Sequence, residues 1–254
     1  MVKIKVISLN LWWGGNLFPA ILDFLKQEDA DIVLLQEAHD SQDPKTLDRQ
    51  RSMEILKRHL NYPYQDFVQA LILDEPEGKI PFGNAILSKL PIQQTSSRFL
   101  VEPTRAEYQD IAKDWPILPR VMQHARLDTL AGEVNVYNIH GVWDLQGDRY
   151  SPERRRMGEI VIEETSGKPN VILAGDSNAS QGNPFMADLD KQLKNVFGKE
   201  LKSTFNMKRK DKPGYATAAV DIMFVSPSLK VVSKKCPDVD ISDHLPLVAE
   251  LDIA

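Results

Sequence analysis

Six places in this chain set an acid, an amide or an imidazole directly at the end of a short apolar run. Asn10 follows Val6-Ile-Ser-Leu, Glu37 follows Ile32-Val-Leu-Leu-Gln, His140 follows Val136-Tyr-Asn-Ile, and Asp176-Ser-Asn178 closes Val171-Ile-Leu-Ala-Gly. Two more sets open a run: Asp221 stands before Ile-Met-Phe-Val, and Ser242-Asp243-His244 before Leu-Pro-Leu-Val. Taken singly these have plain explanations, since Asn10 suits a turn, Asp176 suits a cap, and a histidine is often just a satisfied polar group. Glu37 is harder to explain that way. A carboxylate at the mouth of a buried strand is costly unless it is paired or bound to a cation. Together the six places read as a site that handles metal, protons or phosphate.

The donor types narrow the metal. Mg²⁺ takes hard oxygen ligands and keeps several waters, so one or two carboxylates and an amide suffice, a set that Glu37, Asp243 and Asn10 could supply. Mn²⁺ accepts the same donors and is expected to substitute. Zinc fits less well, because no HExxH and no paired Cys and His spacing occurs. Gly14-Gly15 lacks the Lys-Ser/Thr of a nucleotide-binding loop, and there is no GxSxG elbow for a serine nucleophile.

Such residues converge only if the strands that carry them lie side by side. Apolar runs at residues 3–9, 32–35, 84–87, 134–139, 171–174, 222–225 and 245–251 read as strands. Between them, helices are expected to start at Asn16 ahead of Pro19, at Ser151-Pro152 running over residues 153–164, and at Asn183-Pro184 running over residues 185–196. Alternation of this kind implies an α/β protein whose sheet faces are covered by helices and whose ligands bind at strand ends. The chain is expected to be one domain over residues 1–254, with similar halves of about 1–130 and 131–254. Residues 93–119 are polar and aperiodic, and are expected to cross the surface as a long loop and candidate lid.

Composition sets the outer limits. With 254 residues, 42% hydrophobic and 26% charged, the chain can bury a sizeable core. Thirty-one basic against thirty-six acidic residues give a net charge of -5, so any attraction to a polyanion must be local. The N-terminus alternates Lys with Ile and Val like a strand, and no run reaches membrane-spanning length, so no membrane anchor is expected. Cys236 is the single cysteine, and a cytoplasmic location is expected on that ground. No protein partner is evident.

The segments SLNLW, LLQEA, GNAILS, YNIHG, GDSN, VDIMFVS and ISDHLPL, in that order along the whole chain, resemble the endonuclease/exonuclease/phosphatase superfamily, the deoxyribonuclease-I-like fold. GDSN is similar to that family's GDxN, SDHLPL to its SDHxPL, and VDIMFVS to its IDYIFxS, with Ile222 where Tyr or His is frequent. The resemblance implies a four-layered α/β sandwich of two similar halves, in which two mixed sheets pack together with helices outside. It implies a divalent metal on Glu37, with Asn10 and Asp243 nearby, and hydrolysis of a phosphate ester. By the same resemblance Asp176 orients or deprotonates the attacking water and Asn178 stabilises the transition state beside it. His244, paired with Asp221, donates to a phosphate oxygen, and His140 is a second donor.

The motifs carry the reaction rather than the substrate. Residues 199–212 hold six Lys or Arg against two acids and form a candidate phosphate-tracking loop. Trp12, Trp13 and Trp143 lie close in sequence to Asn10 and His140 and offer surface for stacking a base. Asn84, Trp12 and Arg120 are expected to contact substrate, and Arg154, Arg155 and Arg156 are further candidates because three cations in a first helical turn oppose the dipole. Nucleic acid is therefore the first expectation for the phosphate-ester partner. A phosphomonoester or a lipid phosphodiester is the second, and an idle relative that binds nucleic acid through the same crevice is the alternative of another class.

Overall fold

The computed structural model describes residues 2–109, 118–144, 147–210 and 218–253. Two mixed six-stranded sheets pack face to face. The first sheet has the order β11-β12-β1-β2-β4-β3, built from β1 (Val2–Asn10), β2 (Ile32–His39), β3 (Tyr64–Glu75), β4 (Gly78–Ser88), β11 (Lys230–Lys235) and β12 (Leu247–Ile253). The second has the order β5-β6-β7-β8-β10-β9, built from β5 (Ile92–Val101), β6 (Arg120–Thr129), β7 (Gly132–His140), β8 (Val171–Asp176), β9 (Lys194–Asn195) and β10 (Asp221–Val225).

The period of two along each strand builds the layers. On β1 and β2, Ile4, Val6, Ile32 and Leu34 face the other sheet, meeting Val134, Val136, Ile172 and Ala174 in the central core. Their neighbours Ile7, Leu9, Val33 and Leu35 face outward onto α1 (Phe18–Glu28) and α2 (Ser52–His59). On the far side, Tyr137, Ile139 and Leu173 meet Met157, Ile160 and Val161 of α3 (Pro152–Thr165) and Phe185 and Leu189 of α4 (Pro184–Leu189). Helix, sheet, sheet and helix make the four layers that the family resemblance implies.

All seven expected strands form. The sheets do not divide at residue 130, however. Hairpin pairing carries β5 and β6 into the second sheet, while β11 and β12 return to flank β1 in the first. Residues 92–101 are thus a strand and not a surface loop, because β5 pairs along β6; residues 110–117 lie outside the described residues. Helix α1 begins after Leu17 rather than at an Asn16 cap. Ser151 and Asn183 do cap their helices, accepting from the backbone N–H of Arg154 and Phe185. Helix α4 ends at Leu189 rather than near 196, since residues 194–195 pair with β10 as β9.

Polar side chains also cross between the sheets. Asn138 Nδ2 donates to the carbonyls of Leu35 at 2.9 Å and Ala85 at 3.0 Å, and Gln36 Nε2 donates to Asn138 Oδ1 at 2.7 Å. Asn84 belongs to this bridge. It is buried and donates to the carbonyls of Val121 at 3.0 Å and Asn138 at 3.3 Å, so its expected role as a substrate contact is replaced by one between the sheets. These bonds tie the strand ending near Glu37 to the strand ending in His140.

Candidate active site

The site forms where β1 and β2 of one sheet and β7, β8 and β10 of the other present their ends to one crevice. Register does much of the work. Asp176 lies opposite His140 in the parallel β7–β8 pair and opposite Asp221 in the antiparallel β8–β10 pair. Glu37 sits in a β-bulge of β2, at φ 57, which turns its carboxylate out of the strand's alternation. Gly175, at φ 145, lets β8 pass β7 closely, because a Cβ there would lie 2.0 Å from the Ile139 carbonyl oxygen.

Asp176 is the hub. Its Oδ1 accepts the Asn178 N–H at 2.8 Å, and its Oδ2 accepts Asn10 Nδ2 at 3.1 Å. The Nε2 atoms of His140 and His244 each stand 3.9 Å from that same Oδ2. His244 Nδ1 bonds Asp221 Oδ2 at 2.9 Å. Asn178 is held at φ 53, with its Nδ2 on the Gly141 carbonyl at 3.2 Å. Single left-handed residues of this kind are strained and collect at working sites.

The two histidines are driven apart electrically. Burial alone would lower His244, but the Asp221 and Asp176 carboxylates hold it up at about 10, so it is charged at neutral pH. Burial, with Arg120 and His244 nearby, drops His140 well below the usual imidazole range, so it is a neutral donor and not a second cation. Asp176 is raised to about 6, chiefly by burial and against the pull of His244.

The Glu37 side is built differently. Glu37 Oε2 accepts the Trp13 N–H at 2.8 Å and Oε1 accepts Asn10 Nδ2 at 3.1 Å. Burial first, and the like charge of Asp243 second, raise its pKa. Two buried hard-oxygen carboxylates that repel one another are a donor set suited to a hard divalent ion. Asn10 is a cross-link here: its Oδ1 accepts the Trp12 N–H at 2.9 Å and its Nδ2 spans Glu37 and Asp176. Among the described residues one further group, Asp176, Asp221 and His244, has possible ligand atoms within 4.8 Å of one another. In that group His244 Nδ1 is committed to Asp221, and a charged imidazole has no lone pair for a metal.

A cavity of about 240 Å³ joins both sides, lined by Glu37, His140, Asp176, Asn178, Asp243 and His244 and walled by Trp12, Trp13, Trp143, Phe205 and Lys210. Asp221 stands behind His244. Trp12 and Trp13 are consecutive left-handed residues, at φ 60 and 56, pinned by Asn10 and Glu37. Trp13 packs on Phe82 at 5.6 Å between ring centroids. Phe205 was not foreseen, and only its place beside the basic residues hinted at it.

Arg120 does not line the cavity. It is buried, with Nε on the Gly141 carbonyl at 3.0 Å, and the nearby charges of Glu37 and Asp176 offset part of the burial that lowers its pKa. Arg154 is buried too, and is no phosphate contact. Its guanidinium donates to the carbonyls of Val142 at 3.2 Å, Gly147 at 2.9 Å, Arg149 at 2.8 Å and also Asn178. A brace of site loops explains a cation in that first turn. Arg155 lies over the Tyr150 ring, and Arg156 pairs with Glu159. Three cations of the basic loop are set beside acids further along the chain: Arg209 pairs with Asp240, Lys208 stands 3.9 Å from Asp238, and Lys210 holds Asp243. Lys212 lies outside the described residues.

These acids, amides and imidazoles gather at the strand ends of a two-sheet α/β sandwich. The chain belongs to the endonuclease/exonuclease/phosphatase family, whose model matches residues 7–244. The family's members are metal-dependent hydrolases of phosphate esters, and this chain is an enzyme of that class. Solved structures share the fold. A family protein from Bacteroides thetaiotaomicron is 20% identical with a TM-score of 0.73, covering 100% of this chain and 98% of its own. A mannosyl-6-phosphatase from Bacteroides thetaiotaomicron VPI-5482 is 20% identical with a TM-score of 0.71, covering 98% and 100%. The human nocturnin catalytic domain is 17% identical with a TM-score of 0.71, covering 99% and 94%. No curated protein matches the chain. No helix among the described residues is long and apolar enough to cross a membrane.

Proposed function

We propose that this chain uses Mg²⁺, with Mn²⁺ able to replace it, to hydrolyse a phosphate ester of nucleotide size. The observation that carries the reading is the convergence of His140, His244 and Asn10 on one oxygen of the buried Asp176. Glu37 and Asp243 would hold the ion. Bound there, it would lend positive charge to the phosphoryl oxygens and the departing oxygen. Asp176, ionised above about pH 6, holds the attacking water and accepts its proton. His244, kept charged by Asp221, donates to a non-bridging oxygen as negative charge gathers, and neutral His140 offers a second N–H.

The walls bear on the substrate class. The tryptophans that wall the crevice offer a face for a stacked ring beside the phosphoryl group. Nucleic acid, the first expectation from sequence, keeps those aromatic walls, while Lys208, Arg209 and Lys210 of its basic track are drawn toward Asp238, Asp240 and Asp243. Mononucleotides and short oligonucleotides are therefore preferred to long duplexes. The test is hydrolysis of bis(p-nitrophenyl) phosphate, p-nitrophenyl phosphate, nucleotides, DNA and RNA with Mg²⁺ or Mn²⁺. Cleavage of none by folded protein sinks the proposal, and faster cleavage of long duplex than of nucleotides sinks the size preference.

A further inference from the structure

The segment leading to Lys210 is fastened to the site. Asn206 N–H donates to the Asp243 carbonyl at 2.8 Å, and Leu245 N–H donates to the Thr204 carbonyl at 2.6 Å. Asn206 Nδ2 reaches the Ser242 carbonyl and Asp240 Oδ1, both at 2.8 Å. Arg209 grips Asp240 through two bonds, at 2.7 and 2.6 Å. The Phe205 ring meets the His244 imidazole edge-on at 4.7 Å, and the Lys210 ammonium lies 5.1 Å from the Phe205 centroid. These anchors deliver Lys210 Nζ to Asp243 Oδ2 at 2.7 Å. Asp243 is one of the two carboxylates assigned above to the metal, and it faces the like charge of Glu37.

We infer that Lys210 is a tethered rival of the divalent ion for Asp243, so that this lysine sets the metal affinity of the site. The inference rests on the metal assignment made under the proposed function. A carboxylate oxygen committed to an ammonium is less available to a cation, and a fixed positive charge a few ångströms from the ion repels it. The same ammonium relieves the repulsion between Glu37 and Asp243 whenever the ion is away, because buried like charges without a counter-charge are costly. Lys210 thus trades stability of the ion-free protein against tightness of binding. Its side chain is 35% exposed against 9% for Asp243, which leaves it room to turn aside.

The experiment is a calorimetric titration with Mn²⁺ of the parent, Lys210→Met, Lys210→Arg and Glu37→Gln, with melting curves in the presence and absence of Mn²⁺. Met keeps the apolar stem over Phe205 and removes only the charge. Lys210→Met should bind Mn²⁺ about threefold to tenfold more tightly than the parent. It should melt lower without Mn²⁺ and gain more on its addition. Lys210→Arg should stay close to the parent. An Mn²⁺ affinity in Lys210→Met equal to or weaker than the parent's, while Glu37→Gln binds weakly, overturns the inference alone. Unchanged affinity in Glu37→Gln instead overturns the metal assignment, and the inference falls with it.

Discussion

The two sides of the cleft handle buried charge in opposite ways. Around Asp176 every charge has an answering group: His244 stands between Asp221 and Asp176, and the backbone of Asn178 and the side chain of Asn10 hold the hub carboxylate. Beside Glu37 stands a second carboxylate, Asp243, whose like charge raises the Glu37 pKa; among the described residues Lys210 pairs with Asp243, while His244 and Arg120 add positive charge from the hub side. A self-satisfied cluster is preorganised to move protons, whereas one with surplus negative charge is built to take a cation. Under the proposed function, the difference puts chemistry and metal binding on opposite sides of one cavity.

The largest effect that would test this division is on turnover. Asp176→Asn keeps the shape of the hub and removes the base, so single-turnover cleavage should fall by roughly 10² to 10⁴. Equilibrium binding of the same substrate should hold. Full activity in a folded, metal-bound variant would strike Asp176 from the mechanism.

Next comes Glu37→Gln, which removes charge from the proposed metal side. Its metal affinity should fall by at least the roughly tenfold to hundredfold typical of losing an outer partner, and raised Mg²⁺ should restore part of the rate. Failure of any Mg²⁺ concentration to restore activity would give Glu37 a role in the chemistry and blur the comparison.

A smaller effect concerns pH. Asp176 must be ionised to accept a proton and His244 must be charged to donate, so kcat/KM should rise on the acid side as Asp176 ionises and decline on the alkaline side as His244 loses its charge. Asp221→Asn removes the strongest support for the charged imidazole, which moves the upper limb toward lower pH. A limb that stays in place would show that Asp221 does not hold the His244 charge.

The smallest effect is expected in the basic loop. Because Arg209 and Lys208 are turned toward Asp240 and Asp238, the Arg209→Gln, Lys208→Gln double variant should leave the salt dependence of oligonucleotide binding nearly unchanged. A flattened slope would restore these residues as phosphate contacts.

Sequence order made the polar strand ends legible, since each sits beside the apolar run that carries it. Asn10, Glu37, His140, Asp176, Asn178, Asp221, Asp243 and His244 do come together. What escaped was what depends on distant partners. Arg154 could not be told from a phosphate ligand without the carbonyls of Val142, Gly147, Arg149 and Asn178 folding around it. The basic loop looked free because Asp238, Asp240 and Asp243 lie some thirty residues further on. Asn84 sits in a strand like the others, but its side chain faces the opposite sheet and not the open end. Strand β5 was hidden by an exposed polar face that needs no apolar alternation to pair with β6.

The most direct measurement is one Mn²⁺ titration run on both Asp176→Asn and Glu37→Gln, because each alters one side of the cleft by a single charge. The division predicts parent-like affinity in Asp176→Asn and weakened affinity in Glu37→Gln. The reverse, with Mn²⁺ lost from Asp176→Asn and kept by Glu37→Gln, would place the ion on Asp176, Asp221 and His244 and contradict the account.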